Sequence, residues 1–437
     1  MSGATDATND DLPKSVITCD LEGRIETFND GAEELFGYDA EEVVGRERVS
    51  LFSPGLVVLE HVERWLETAR EEGEFETETV FERKDGSRFA AHIRITTTHR
   101  GGEQIGYCGV TEPLPSTDPE EVMPAISPWT HVLKWLVVTR APFLSATLVP
   151  VLVGAAWVAH TGTGAFPWLD FCLALVGAAA LHVAANCFND YFDWESGADP
   201  ANNNYFQSLT GGSRAVELGL VTQTEMFATA SVAAALATIC GLVLTARVGP
   251  GILGFGLFGL FSAYFYTAPP LRLVARRGLG ELLIGLNFGP MMTAGTAYTL
   301  TGRFDSGAVL VGVPIGLLVT AILWINEFPD APSDAEVGKN HLVVVLGRRT
   351  ARWGYAGLLG LAFALVGIGA AAGVYPTGTL LSLVALPIAI YASAVAVEHY
   401  DDRQLVRANR ATIALHAAAG ALMSAGLLWN DLIAGLL

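Results

Sequence analysis

Hydrophobic positions follow two rhythms along the chain. As far as about residue 111 they fall in short runs that alternate with polar positions, the two-residue period of a half-buried strand. From about residue 141 they gather into long blocks nearly free of charge. Each block is close to the roughly 20 residues that one helix needs to cross a bilayer core.

In the first region Ser15–Cys19 and Arg24–Asn29 read as short strands, separated by the turn residues Asp20-Leu21-Glu22-Gly23. Asn29 to Tyr38 predicts a capped helix, with Ala32, Leu35 and Phe36 at helical spacing. A longer helix is expected over about Leu56–Glu72. Three long strands then follow, about Glu74–Arg83, Arg88–His99 and Gln104–Val110. Lys84-Asp85-Gly86-Ser87 and Arg100-Gly101-Gly102-Glu103 supply their hairpin loops. Residues 1–12 are polar and acidic and read as a disordered tail. Residues 113–129 carry Pro113, Pro115, Pro119, Pro124 and Pro128 and predict an extended acidic linker. Residues 13–112 and 130–437 are thus the two domains.

The second region offers nine spans: about 141–160, 168–190, 225–246, 250–268, 281–300, 307–328, 354–373, 378–397 and 411–434. The fold class is therefore multidomain, an α+β domain followed by an all-α polytopic bundle. Charge sharpens the division. Residues 1–125 hold 28 acidic and 11 basic side chains, whereas residues 126–437 hold 17 and 15. Only 16% of the chain is charged, against about 25% in an average soluble protein. Lysine occurs only at positions 14, 84, 134 and 339. So acidic a soluble surface argues against nucleic acid as a partner and suits a high-salt cytoplasm. The five cysteines form no CxxC pair, so neither a disulfide framework nor a zinc site is expected.

No apolar signal core precedes residue 12, so the first domain is expected to stay in the cytoplasm. Nine spans then place thirteen basic residues inside, Lys134 to Arg410, and only Arg247 and Arg303 outside. The expected protein is a multi-pass cell-membrane protein with an external C-terminus.

Two acidic clusters fall at cytoplasmic helix ends. In the first, Asn186, Asp190 and Asp193 stand at i, i+4 and i+7 and share a helix face, with Asn189, Glu195 and Asp199 close by. In the second, Asn326, Asp330 and Asp334 stand at i, i+4 and i+8, with Pro329 and Pro332 between them as candidate kinks or helix ends. Carboxylates this near hydrocarbon repel one another and mark function. A hard divalent cation such as Mg²⁺ removes the repulsion, and it favours a few carboxylates together with phosphate oxygens. Two such faces could clamp a diphosphate, helped by Arg214, Arg272 and Lys339.

These residues carry a resemblance. "VITCDLEGRIETFNDGAEELFGYDAEEVVGR", "ERKDGSRFAAHIRI" and "GYCGVTE" resemble a PAS domain. The resemblance implies a sensing or dimerising module, whose ligand it does not identify. No cysteine sits where a photoactive version needs one, and His61 and His92 are the histidines open to a haem. "NCFNDYFDWESGAD", "TGGSRAVELGLVT", "YTAPPLRLVARRGLGELLIGLNFGP" and "NEFPDAPSDAEVGKNHLVVVLG" resemble UbiA-type membrane prenyltransferases across the whole second region. That resemblance implies Mg²⁺ held by Asp190, Asp193, Asp330 and Asp334 around a polyprenyl diphosphate. It implies substrate contacts from Asn186, Asn189, Asp199, Arg214, Tyr266, Arg272, Asn326 and Lys339. The pattern is most similar to the branch that prenylates 1,4-dihydroxy-2-naphthoate with loss of CO₂, on the way to menaquinone. Pro329, Pro332 and a loop Asn202–Gln207 without basic residues depart from it and leave other acceptors open: another quinone head, a porphyrin or a glycerol phosphate lipid. A sensor or transporter with acidic helices in an ion path is the alternative from another class, although its charges belong nearer the midplane. The PAS domain is expected to regulate the transferase rather than catalyse.

Overall fold

The computed structural model describes residues 13–162, 165–202 and 212–430. The predicted tail, the loop from Asn203 to Gln207 and the last residues of the ninth predicted span lie outside them. The described residues form two units, one within 1–137 and 215–222, the other within 138–214 and 223–437.

The first unit is built on an antiparallel five-stranded sheet of order β2-β1-β5-β4-β3. Its strands are β1 (Ser15–Asp20), β2 (Ile25–Phe28), β3 (Glu74–Glu82), β4 (Arg88–Arg100) and β5 (Glu103–Pro113). All five match the predicted strands within a few residues. Alternation explains β1, where Ser15, Ile17 and Cys19 face inward. Helix α1 (Asp30–Phe36) is capped by the Asn29 side chain and closed by Gly37 in a left-handed conformation. A short α2 (Ala40–Val43) follows. The longer predicted helix forms as α3 (Gly55–Val57), a π turn (Val58–Val62) and α4 (Glu63–Glu72). The core is aromatic: Phe36 stands 4.3 Å from Phe52 and 5.8 Å from Phe81, centroid to centroid.

Linker residues dock on the π turn. His61 Nε2 lies 3.1 Å from the Ala125 carbonyl, and Glu60 accepts from Ser127 N at 2.9 Å and from the Thr130 hydroxyl. Cys19 lies on a strand, where burial pushes its thiol up to about 12. Helix α5 (Pro128–Val138) begins on proline, which suits a first helical position. It exposes Trp129, Val132, Trp135 and Leu136, a face suited to a bilayer interface.

The second unit is helical. Its long elements are α6 (Ser145–His160), α7 (Trp168–Glu195), α9 (Gln223–Val248), α10 (Gly251–Phe265), α13 (Ser306–Glu336), α15 (Arg348–Ala371), α16 (Leu386–Glu398) and α17 (Val406–Leu428). Shorter helices are α8 (Ala198–Ala201), α11 (Leu279–Leu286), α12 (Met292–Thr301) and α14 (Leu342–Leu346). Each predicted span falls on helix. Seven described segments are long and apolar enough to cross a membrane. Two differ for visible reasons. Helix α10 has 15 residues. The segment from α11 to α12 is continuous but interrupted by a π turn, Asn287–Met291, around Pro290.

Helix α13 lies at the centre, with 72% of its most apolar window buried, against 22% for α9. Small residues let its neighbour approach. A Cβ at Gly289 would lie 2.5 Å from the Gly312 carbonyl and 2.6 Å from the Gly316 Cα. This is the close helix contact that glycine allows in membranes. Pro329 and Pro332 do not end α13, which runs on to Glu336 and keeps Asn326, Asp330 and Asp334 helical. Helix α16 is preceded by a 3₁₀ segment, Thr377–Ala385, so that span also crosses in two conformations.

Gly289→Ala should overpack the α13 contact and cost about 1–3 kcal/mol. The expected result is a lower thermal midpoint of the detergent-solubilised protein. An unchanged midpoint would contradict so close an approach.

Candidate active site

The C-terminal turns of α7 and α13 face one cavity of about 480 Å³. Its polar end is lined by Asn186, Asn189, Asp193, Asp199, Tyr266, Asn326, Asp330, Asp334 and Lys339. Its far end is apolar, between Leu181, Leu253, Phe255, Leu260 and the Met291-Met292 pair, among others. Twelve residues were predicted for the site, and nine line this cavity. Asp190, Arg214 and Arg272 do not.

Lys339 joins the two acidic faces. Its Nζ lies 2.9 Å from Asp193 Oδ2 on α7 and 3.6 Å from Asp334 Oδ1 on α13. Burial alone would depress its ammonium, but those two carboxylates outweigh it and hold Lys339 well above the ordinary lysine range. Asp193 also accepts from Asn189 Nδ2 at 2.9 Å, and the same nitrogen reaches Thr267 Oγ1 at 3.0 Å. Asp193 Oδ1 remains buried without a hydrogen bond.

Asp190 lies just behind that layer, 3% exposed. Ser213 N donates to its Oδ2 at 3.2 Å, and Arg140 Nη1 is 3.7 Å from its Oδ1. Oδ1 itself accepts no hydrogen bond. Gly212, at φ +77°, permits this convergence: a Cβ there would meet Asp190 Oδ1 at 2.9 Å and the Asp199 carboxylate at 3.3 Å. Burial, and then the charge of Asp193, hold the Asp199 carboxyl well above its usual range against the opposing pull of Arg214.

Arg214 acts on backbone. Nη1 and Nη2 donate to the carbonyls of Asp199 and Asn202. Asn202 Nδ2 in turn donates to Asp330 Oδ1 at 2.7 Å, so Arg214 braces a loop that reaches across to the second cluster. Arg214, Arg140 and Arg272 all adopt left-handed backbone, at φ 55°, 52° and 42°. For a residue with a Cβ that conformation costs on the order of 1–2 kcal/mol, and such strain gathers at functional sites. Asn326 Oδ1 accepts from Asn409 Nδ2 at 2.7 Å, and Asn186 Nδ2 reaches the Thr139 carbonyl at 3.4 Å. His182 is an interior histidine, 2.8 Å from the Thr147 hydroxyl.

Several participants were not singled out as site residues by sequence. Arg140 counted there only towards orientation, yet it lies 3.7 Å from Asp190. Asn409 lies in none of the quoted motifs, and Thr267 and Asn202 lie in quoted segments without a role assigned to either. His341 lies two residues after Lys339, inside the second acidic motif, and that proximity was the available signal.

The donor set fits a hard divalent ion. Four buried or half-buried carboxylates converge, two of their oxygens lack partners, and a lysine ammonium already bridges the two faces.

A helical membrane bundle with paired carboxylate faces at one end of a deep apolar cavity defines a class of intramembrane transferase that handles charged headgroups and apolar chains. Residues 147–432 match the UbiA prenyltransferase family, and residues 13–111 match a PAS domain. The chain therefore belongs to the UbiA prenyltransferase family and carries an N-terminal PAS domain. It is a multi-pass membrane enzyme. Among its relatives, a 2-carboxy-1,4-naphthoquinone phytyltransferase of Synechocystis is 28% identical over 72% of this chain and 99% of its own. A 1,4-dihydroxy-2-naphthoate octaprenyltransferase of Mycobacterium tuberculosis is 31% identical over 64% of this chain and 91% of its own. The solved apo structure of a UbiA homologue from Aeropyrum pernix superposes with a TM-score of 0.50 at 18% identity, covering 67% of this chain and 98% of that one.

Arg214→Lys keeps the charge and loses the two-pronged grip on the loop. Prenyl transfer should fall about 10- to 100-fold, the loss expected for hydrogen bonds from a charged donor. A rate within twofold of wild type, from steady-state transfer kinetics, would contradict the bracing role.

Proposed function

We propose that this protein transfers a polyprenyl group from an allylic diphosphate to 1,4-dihydroxy-2-naphthoate, giving a demethylmenaquinone precursor. The carrying observation is the Lys339 bridge, which brings the carboxylates of α7 and α13 to a single point at the cavity mouth. The naphthoate acceptor rests on the relatives, which bear that substrate in their names.

In this reading Asp190, Asp193, Asp330 and Asp334 hold Mg²⁺ at the diphosphate. The ion would neutralise charge as the allylic C–O bond breaks and its electrons pass to the leaving diphosphate oxygen. Lys339 supplies fixed positive charge to the same oxygens. Asn186, Asn189 and Asn326 orient the headgroup, Tyr266 lines its pocket and Asp199 shapes the loop beneath it. The apolar end of the cavity takes the prenyl chain and excludes water from the allylic cation. The electron-rich ring carbon that bears the carboxylate forms the new C–C bond. Loss of CO₂ returns its bonding electrons to the ring, so restoring aromaticity needs no proton acceptor. Arg272 stands outside the cavity lining and is proposed only as a second-layer charge.

The orientation that puts the PAS domain and both acidic faces in the cytoplasm, with the C-terminus outside, is part of this proposal. So is control by the PAS domain, as a sensor or as a dimerising module. The segment 215–222, which directly follows Arg214 in sequence, belongs to the PAS-containing unit, where a Cβ added at Gly55 would meet the Leu218 carbonyl.

Membranes carrying the protein, assayed in high salt with labelled polyprenyl diphosphate, should prenylate the naphthoate with Mg²⁺ and fail with EDTA. Asp190→Ala and Asp330→Ala should each lose at least about 100-fold, as for removal of a group that stabilises a leaving charge. Transfer only to another quinone head, a porphyrin or a glycerol phosphate lipid would overturn the acceptor and keep the site. No transfer from folded protein to any acceptor would overturn the reading altogether. Deleting residues 1–125 should leave transfer measurable, and its complete loss in a folded truncation would contradict a regulatory PAS domain.

A further inference from the structure

A second group of ligating side chains lies beside the aspartate faces: Glu281 in the first turn of α11, Glu327 in α13 and His341 at the N-cap of α14. Donor atoms of the three lie within 4.8 Å of one another. They come from three separate segments and are almost fully buried, at 3%, 6% and 0% exposed.

Their hydrogen bonds leave a gap in the chemistry. His341 Nε2 donates its proton to Asp334 Oδ2 at 3.1 Å, which leaves Nδ1 unprotonated; the Val344 N–H approaches Nδ1 only at 3.4 Å, a contact long enough for a metal ion to take that lone pair in its place. The Nδ1 lone pair then faces Glu327 Oε2 at 3.4 Å, acceptor against acceptor. Glu281 Oε1 accepts from Leu342 N at 2.6 Å, but its Oε2 has no partner, and neither carboxylate oxygen of Glu327 has one. Buried carboxylates left in this state are strongly unfavourable. Something positive belongs at the point on which they converge.

We propose that Glu281, Glu327 and His341 form a second cation site, distinct from the aspartate faces, that binds one divalent transition ion such as Zn²⁺ or Mn²⁺. Two carboxylate oxygens and one imidazole nitrogen select a borderline ion over Mg²⁺, which takes oxygen ligands. Asp334 on the far ring nitrogen completes the carboxylate–histidine–metal arrangement that fixes a ligating imidazole. The ion pins the turn 338–342 between α11 and α13. Through that turn it positions Lys339 and Asp334, the residues at which the two acidic faces meet. The site stands independently of which acceptor is prenylated.

Full-length protein is loaded with Zn²⁺, passed over chelating resin in excess Mg²⁺ without diphosphate, and its metal measured by mass spectrometry. Wild type should retain about one Zn²⁺ per chain. His341→Asn, which still caps a helix, and Glu327→Gln should each retain at least about tenfold less. Asp190→Ala should retain as much as wild type. Loaded with Mn²⁺ instead, the wild type should show hyperfine coupling to a single imidazole nitrogen, and His341→Asn should not. The proposal is overturned by wild type retaining no Zn²⁺, which would mean that protons neutralise the glutamates. Retention equal to wild type in His341→Asn and Glu327→Gln would overturn it too, as would loss of the ion in Asp190→Ala.

Discussion

Carboxylates gathered in a pocket of low dielectric repel one another unless a cation stands between them, and the transferase half of this protein is organised around that constraint. Asp193 and Asp334 come from helices far apart in sequence, and both point at the ammonium of Lys339. To bring them there α13 must stay helical past two prolines, and α7 must run to Glu195. Glycine contacts between Gly289 and α13 let the central helix sit deep enough for its polar end to reach the same cavity. The arginines in left-handed backbone bind what the helices cannot: Arg214 ties the carbonyls of Asp199 and Asn202, and Arg140 approaches Asp190.

The helical half was legible because its signals are local. Apolar blocks of span length predicted the segments that appear as helices, and Asn-x3-Asp spacing placed each acidic face on one side of its helix. The strands of the first domain were equally readable, since alternation and hairpin loops repeat at short range. What sequence could not supply is pairing across the bundle. Nothing in the segment around Asn409 announces that it donates to Asn326, 83 residues away. Arg214 was expected at the diphosphate, but the structure shows it holding backbone carbonyls, an interaction that leaves no trace in composition. Prolines at 329 and 332 were open to reading as helix ends because their local penalty is plain, whereas the packing of α13 that overrides it is tertiary.

The first domain follows a different logic. An aromatic core packs on its antiparallel sheet, and the acidic linker is anchored at the π turn through Glu60 and His61. Segment 215–222 belongs to this unit and directly follows Arg214 in sequence.

In the proposed function the two acidic faces act together on one metal-bound diphosphate. The direct measurement is Mg²⁺-dependent binding of a non-reactive polyprenyl thiodiphosphate to wild type, Asp193→Asn, Asp334→Asn and the double variant. A shared site predicts that either single change removes most of the Mg²⁺-dependent affinity and that the second removes little more, a coupling well above the roughly 0.5 kcal/mol of independent positions. Strictly additive losses, or Mg²⁺-dependent binding that survives either substitution, would mean that the two faces do not share one metal-bound diphosphate.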